Sequence, residues 1–368
     1  YKPGLEGVIA GDTSISAVEQ TSLSYRGYEI GDLAQNTTFE EVAHLLLYDE
    51  LPTSRQLSDF QTTLSKLRPL APEVIQALRL IPTDVSMMDV LRSMVSFAGH
   101  FDPVKGDTID DLRRRAVWLM GVAAGVVAAR YRLLNKNEPL EPKPGLSHAQ
   151  QLLYQALGQE PDDTAARLLD LTLILYAEHE YNASTFANRI VASTMSDLVS
   201  GIVTGIGTLK GPLHGGANEK AMAMLKQFDS AQAASAWIKE AFAKKHKVMG
   251  FGHRVYKQGD HRAHILEDEL RKLAEKKGQN KWMEIYDAIK EPMVNEKKIF
   301  PNVDYPCGLT YYLLDLPIDM YTPLFVCSRV TGWSAHFIEQ TANNRLIRPL
   351  SRYAGPAKRS VTPIAQRT

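Results

Sequence analysis

Phe39-Glu40-Glu41-Val42-Ala43-His44-Leu45-Leu46-Leu47 puts apolar side chains at positions i, i+3, i+4 and i+7, and Thr37 or Thr38 stands ahead of it to cap free N–H groups. This is the period of a helix with one face toward a core. It recurs over residues 54–67, 87–98, 110–134, 147–157 and 164–178, with prolines such as Pro52, Pro72, Pro139 and Pro161 marking the breaks. Strand signals are confined to residues 5–9, 15–18 and 23–28. The pattern predicts an all-α, multihelical protein with a minor N-terminal β element.

Residues 185–206 read as one long helix rich in Ser, Thr, Ala and Gly, whose small side chains let a second helix approach closely, in this chain or in a partner. After Gly215-Gly216, helical patterns at 218–228, 231–245, 263–277 and 281–300 carry more Lys and Glu on their outer faces, as expected of a smaller, more solvated lobe. A last apolar helix is expected at 324–341.

Forty-two basic residues balance forty-two acidic ones, so no global field recruits nucleic acid or an anionic membrane. Cys307 and Cys327 are too few for a four-cysteine zinc site or a disulfide framework, which favours a reducing compartment. The first residues have no apolar secretory core, and the apolar stretches 121–129 and 171–177 are closed by Arg130 and Glu178. A soluble, cytoplasmic protein that binds no membrane is expected.

Three glycine- or proline-rich breaks present polar side chains. In Lys210-Gly211-Pro212-Leu213-His214-Gly215-Gly216-Ala217-Asn218, His214 precedes a helix N-terminus, whose positive end favours a neutral imidazole. In Gly250-Phe251-Gly252-His253-Arg254-Val255-Tyr256-Lys257, two glycines free the backbone and neighbouring cations push His253 toward neutrality. In Phe300-Pro301-Asn302-Val303-Asp304-Tyr305-Pro306, Asp304 is fixed between prolines. A carboxylate and two neutral imidazoles are the parts needed to take a proton from carbon beside a carbonyl and stabilise the enolate oxygen. Taken singly, each is more simply a turn or cap residue.

From residue 329 onward Arg329, Arg345, Arg348, Arg352, Lys358, Arg359 and Arg367 face only Glu339. Aromatic residues are too sparse there for a nucleic-acid surface. Arg329 lies inside an apolar helix, where an unpaired guanidinium is costly, so it points with Arg262 to a small di-acid. No Gly-Lys dipeptide exists for a phosphate loop, and Lys210 occupies the third position of a dinucleotide fingerprint after Gly205-Ile206-Gly207. His179-Glu180 has Ala183 where a zinc protease needs its second His, and no Gly-x-Ser-x-Gly is present. No metal and no cofactor is expected.

At these residues the sequence resembles the citrate synthase family, in its short bacterial form. Similar segments run in order almost end to end: Tyr25-Arg26-Gly27-Tyr28, the helix from Phe39, residues 179–186, 211–218, 250–257, 301–304, 329–336 and 344–349. The resemblance implies a two-domain fold: a large domain from residues 1–216, a mobile small domain from 217–316, and a C-terminal part from 317–368 that rejoins the large domain and reaches a partner subunit. It implies condensation of acetyl-CoA with oxaloacetate through an enol or enolate and citryl-CoA, the first step of the tricarboxylic acid cycle. Asp304 would be the base, His214 the donor to the thioester oxygen, and His253 the group that polarises the ketone. Oxaloacetate would be held by His179, His214, His253, Arg262, Arg329 and Arg348, the last supplied across a homodimer; acetyl-CoA would lie near Val255, Tyr256, Lys257 and Lys297. His261 stands where many members have Pro, which predicts a looser turn before Arg262. The short form lacks the extra N-terminal domain tied to NADH regulation of a hexamer, so that regulation is not expected. Two rivals remain: a 2-methylcitrate synthase using propionyl-CoA, and a non-catalytic helical interaction protein, which predicts loss of His214, His253 or Asp304.

Overall fold

Side-chain caps set where many of the helices begin. Thr38 Oγ1 accepts from Glu41 N while Glu41 Oε2 accepts from Thr38 N, and the same reciprocal box recurs at Thr53/Gln56, Thr108/Asp111 and Ser147/Gln150. The computed structural model describes residues 2–253, 255–256 and 259–367. Helices α1 (Ile30–Asn36), α2 (Phe39–Tyr48), α3 (Ser54–Leu67), α4 (Pro72–Leu80), α5 (Met87–Ala98), α6 (Ile109–Leu134), α7 (His148–Leu157), α8 (Asp163–Tyr176), α9 (Ala183–Ser193) and α10 (Leu198–Leu209) precede the Gly215-Gly216 pair. Helices α11 (Ala217–Leu225), α12 (Ala231–Ala243), α13 (His261–Lys276), α14 (Asn280–Asn295), α15 (Asp304–Leu313) and α16 (Tyr321–Ala342) follow it. Strands β1 (Ser16–Val18), β2 (Leu23–Tyr25) and β3 (Tyr28–Glu29) form a small antiparallel sheet in that order, with Ser16 opposite Tyr25 and Ser24 opposite Glu29. The protein is all-α, as its helical periodicity predicts.

α16 and α6 form the core of the first group. α16 packs on α6, α8, α9 and α10, and Trp333 and Phe337 press against glycines of α10: a Cβ on Gly205 would lie 2.9 Å from Trp333 Cδ2, and one on Gly201 2.8 Å from Phe337 Cδ2. The small residues of that region thus admit aromatic rings from a helix of the same chain. α6 is long and apolar enough to cross a membrane, which corrects the expectation drawn from residues 121–129 alone. Its most apolar window is 78% buried inside the protein, as befits a central core helix. α11 to α15 pack mainly on one another, α12 on α14 and α13 on α14 and α15, and meet the first group chiefly through α13 on α8 and α1.

Several elements differ from the sequence reading, α1 and α4 among them as helices it did not expect. Residues 185–206 are two helices: Met195 takes a left-handed φ of 63°, and Asp197 caps a new start by accepting from Ser200 N at 2.9 Å. Residues 5–9 form no strand, and Pro3–Leu5 is a turn of 3-10 helix instead. The 164–178 helix stops at Tyr176, which leaves Glu178 and His179 in a loop. Asp304 opens α15 rather than standing in a rigid turn; Pro306 fits the first helical turn because its missing N–H has no intrahelical partner to lose.

Gly332 of α16 lies against that loop, and a Cβ there would overlap Ala177 O and Glu178 Oε2. Gly332→Ala is expected to lower stability by about 1–3 kcal/mol, read as a fall in thermal midpoint. In an unobstructed helix the same change stabilises by about 1 kcal/mol, so a rise in midpoint would refute the close packing.

Candidate active site

Four segments converge on one half-buried region: the loop after α8, the turn before α11, residues 250–253 with 255–256, and the start of α15. Backbone pairing holds the last two together. Gly252 N donates to Phe300 O at 2.8 Å, Asn302 N donates to Gly250 O at 2.9 Å, and Phe251 and Pro301 form an isolated antiparallel bridge. Gly250, at φ 82°, must lack a side chain, since a Cβ would lie 2.8 Å from Tyr305 Cβ. Asn302 Nδ2 also donates to Gly252 O at 3.0 Å, and its Oδ1 accepts from Asp304 N at 3.1 Å.

Backbone N–H groups fix the tautomers of two imidazoles. Ser184 N donates to His214 Nε2 at 3.2 Å, so that nitrogen is the acceptor and a neutral ring carries its proton on Nδ1. Ser184 Oγ lies 2.8 Å from the same nitrogen and accepts from Trp333 Nε1 at 3.1 Å. Burial, then Arg329, lowers His214 to a pKa of about 4. Burial outranks the helix N-terminus invoked from the sequence. Val255 N and Tyr256 N both donate to His253 Nδ1, at 3.1 and 3.2 Å, so a neutral His253 holds its proton on Nε2.

His179 joins them. Its ring centroid is 5.2 Å from that of His253, and its Nε2 lies 3.1 Å from Tyr256 Oη. Burial, followed by the charges of Arg262 and Arg329, holds His179 well below the usual histidine range. Tyr256 is buried, stacked on His253 at 4.5 Å, and therefore stands among the imidazoles. Val255 is half-buried beside it.

Arg262 is buried and donates through Nε and Nη2 to the two oxygens of Asp260, at 3.0 and 2.9 Å. Asp260 also accepts from Arg262 N and from Val303 N, which pins the start of α13 to the residue before Asp304. The turn that His261 was expected to loosen is held by this cap. Arg329 is buried, donates from Nε to Tyr176 O at 2.6 Å and lies 4.4 Å from the Phe325 ring. Burial lowers it to about 10, and its charge acts on His179, His214 and Asp304 alike. Asp304 Oδ1 accepts from Tyr176 Oη at 2.6 Å; burial raises its carboxyl above the usual range despite that bond and the nearby guanidiniums. Such a carboxylate is a stronger base than one in water.

Beneath the loop, Glu178 Oε1 accepts from Ser16 Oγ at 3.0 Å and His336 Nε2 at 2.8 Å, while Arg189 Nη1 donates to His336 Nδ1 at 2.9 Å and Glu339 Oε2 at 2.7 Å. The sequence reading did not single out Tyr176, Glu178, Ser184 or Asp260. Asp260 stood two residues from Arg262 in plain view, whereas the others act through contacts up to 158 residues apart that no local pattern announces. Arg348 does not join the cluster within this chain and is exposed. Lys297 is exposed with Nζ 4.5 Å from the Phe242 ring, and Lys257 lies outside the described residues.

The family profile described as "Citrate synthase, C-terminal domain" matches residues 4–350. The chain is 44% identical to 2-methylcitrate synthase 1 of Corynebacterium glutamicum, over 100% of this chain and 98% of that protein. It is 42% identical to citrate synthase of Mycolicibacterium smegmatis, over 97% of this chain and 96% of that one. Its fold superposes with a TM-score of 0.92, at 35% identity and with 99% and 98% coverage, on the citrate synthase of Thermoplasma acidophilum, solved as a ternary complex with carboxymethyl coenzyme A and oxaloacetate. The matched profile, these relatives and the shared helical scaffold make the chain a carbon–carbon condensing enzyme of the acyltransferase type. The chain belongs to the citrate synthase family.

The lowered His214 has a consequence for stability. Unfolded, this histidine binds a proton below about pH 6.5; folded, it stays neutral down to about pH 4, so the unfolded state holds more protons and stability falls as pH drops through that window. The difference is worth at most about 3 kcal/mol. Thermal midpoints measured between pH 7 and pH 4 are expected to fall less steeply in His214→Gln than in the wild type; parallel profiles would refute the shift.

Proposed function

We propose that the protein is a citrate synthase, condensing acetyl-CoA with oxaloacetate and water to give citrate and CoA. The observation that carries this reading is Asp304, a half-buried carboxylate of raised proton affinity, set with two imidazoles whose tautomers backbone N–H groups dictate. Asp304 takes a proton from the acyl methyl group. His214 Nδ1–H donates to the thioester oxygen as it gains charge, stabilising the enol or enolate. The methyl carbon then attacks the ketone of oxaloacetate, and the proton on His253 Nε2 passes to the new alkoxide, forming the hydroxyl. Water finally attacks the thioester carbon of citryl-CoA, the C–S bond breaks, and CoA leaves as the thiol.

His179, Arg262 and Arg329 would hold oxaloacetate, completed by Arg348 of the partner subunit. The C-terminal segment supports such an exchange: Leu350 is 87% exposed and Tyr353 78%, an apolar surface that a homodimer would cover. CoA would lie toward Val255, Lys257 and Lys297. The lobe of residues 217–316 would close over bound oxaloacetate, excluding water until condensation is complete. The reaction supplies citrate to the tricarboxylic acid cycle in the cytoplasm.

The rival acyl substrate is propionyl-CoA, favoured by the relatives named 2-methylcitrate synthase at 44% and 42% identity. One extra methylene is worth only about 1–3 kcal/mol in an apolar pocket, so the catalytic groups serve either substrate. The non-catalytic alternative predicts loss of His214, His253 or Asp304, and all three are present.

Release of CoA thiol with oxaloacetate is expected to be faster from acetyl-CoA than from propionyl-CoA; the reverse order would reassign the acyl group, and no release from either would end the enzyme reading. Asp304→Asn is expected to lower kcat at least ~100-fold, and retained turnover would remove Asp304 from its role. Arg348→Ala is expected to be inactive alone yet to regain activity in mixed dimers with inactive His214→Ala. Silence in verified heterodimers would mean that sites are not shared.

A further inference from the structure

Arg329, Gly332 and His336 stand at i, i+3 and i+7 of α16, so they share one buried face of that helix. The loop after α8 is laid along this face. Tyr176 O accepts from Arg329 Nε at 2.6 Å, a Cβ on Gly332 would overlap Ala177 O and Glu178 Oε2, and Glu178 Oε1 accepts from His336 Nε2 at 2.8 Å. Glu178 is thereby held between a guanidinium and an imidazole, with a glycine making room for it.

The imidazole brings no charge to this arrangement. Arg189 Nη1 donates to His336 Nδ1 at 2.9 Å, and a guanidinium cannot accept, so Nδ1 is the acceptor and a neutral ring keeps its proton on Nε2. Ser16 Oγ, the other donor to Glu178 Oε1, is uncharged as well. Both fix where the carboxylate lies without cancelling it. Burial weakens the hold of Arg329 on its proton, and Glu178 is the largest influence in the opposite direction. The two do not touch: among the described residues no ion pair within 4.0 Å joins them. The Nη groups of Arg329 make no hydrogen bond among the described residues, yet neither is sealed from solvent. Removing one member of a buried charge pair strands the other and is strongly unfavourable, whereas removing both is close to neutral.

We propose that Glu178 is the resident counter-ion of Arg329: it answers the guanidinium before substrate binds, leaves the Nη groups free, and competes electrostatically with the carboxylate that docks on them. This rests on the reading of Arg329 as an oxaloacetate ligand. Glu178 is then a positioning residue that tempers affinity for the dicarboxylate without touching it.

The test is a double-mutant cycle on the full chain. Wild type, Glu178→Gln, Arg329→Gln and the double variant are compared by urea unfolding, and oxaloacetate is titrated calorimetrically into the wild type and Glu178→Gln. Glutamine keeps the shape and the acceptor for Ser16 and His336 while removing the charge. The Kd for oxaloacetate is expected to fall at least about threefold in Glu178→Gln, since the substrate carboxylate then meets Arg329 with no rival anion. Altering a residue that only shaped the loop would weaken binding instead. The double variant is expected to unfold at a higher urea concentration than Glu178→Gln. A Kd that stays level or rises overturns the proposal, as does a double variant no more stable than Glu178→Gln. Where Glu178→Gln does not fold alone, folding of the double variant decides by the same comparison. Failure of oxaloacetate to bind the wild type removes the reading of the site and this proposal with it, whereas binding that does not tighten in the variant removes the counter-ion alone.

Discussion

A neutral imidazole donates from one nitrogen only, and in this protein main-chain N–H groups decide which. Ser184 N occupies Nε2 of His214; Val255 N and Tyr256 N occupy Nδ1 of His253. The donors are part of helix and turn geometry, so in these ring orientations the other tautomer would lose its backbone hydrogen bonds. Protonation is resisted by the same contacts, because an imidazolium has no lone pair left for the N–H it faces. A charged ring at either position would set an N–H against a backbone N–H and lose that hydrogen bond.

Charge is handled in a second way. Arg262 is matched inside the fold by Asp260, whereas Arg329 spends only Nε on Tyr176 O and is answered at longer range by Glu178, itself shared with Ser16 and His336. Burying a guanidinium with so little direct compensation is unfavourable, and its lowered affinity for the proton records that cost. A carboxylate ligand would meet the need. Burial is the larger cause that keeps His179 and His214 neutral, and this charge adds to it.

Much of the helical framework could be read from residue order because caps and apolar period act over a few residues. The predicted 54–67 and 87–98 segments coincide with α3 and α5 for that reason. The break at Met195 escaped notice because neither Pro nor Gly marks it; the signal was the Asp197/Ser200 cap, hidden in a run of small polar residues. α4 and α15 escaped because each carries a proline, normally a sign of interruption, in its first turn. His214, His253 and Asp304 were legible as side chains on constrained breaks, and His179 only through the family resemblance. What they touch was not: Tyr176 meets Asp304 across 128 positions, and Ser184 meets His214 across 30.

The antiparallel bridge between Phe251 and Pro301 ties the His253 loop to the segment that leads into α15 at fixed register. Adding or deleting one residue between Pro301 and Asp304 would change which residue opens α15 and take the carboxylate off Tyr176 Oη. Divergence within this lineage should therefore leave that spacing constant while composition drifts around it. Engineers grafting either loop into another scaffold would have to transplant the two as a single module.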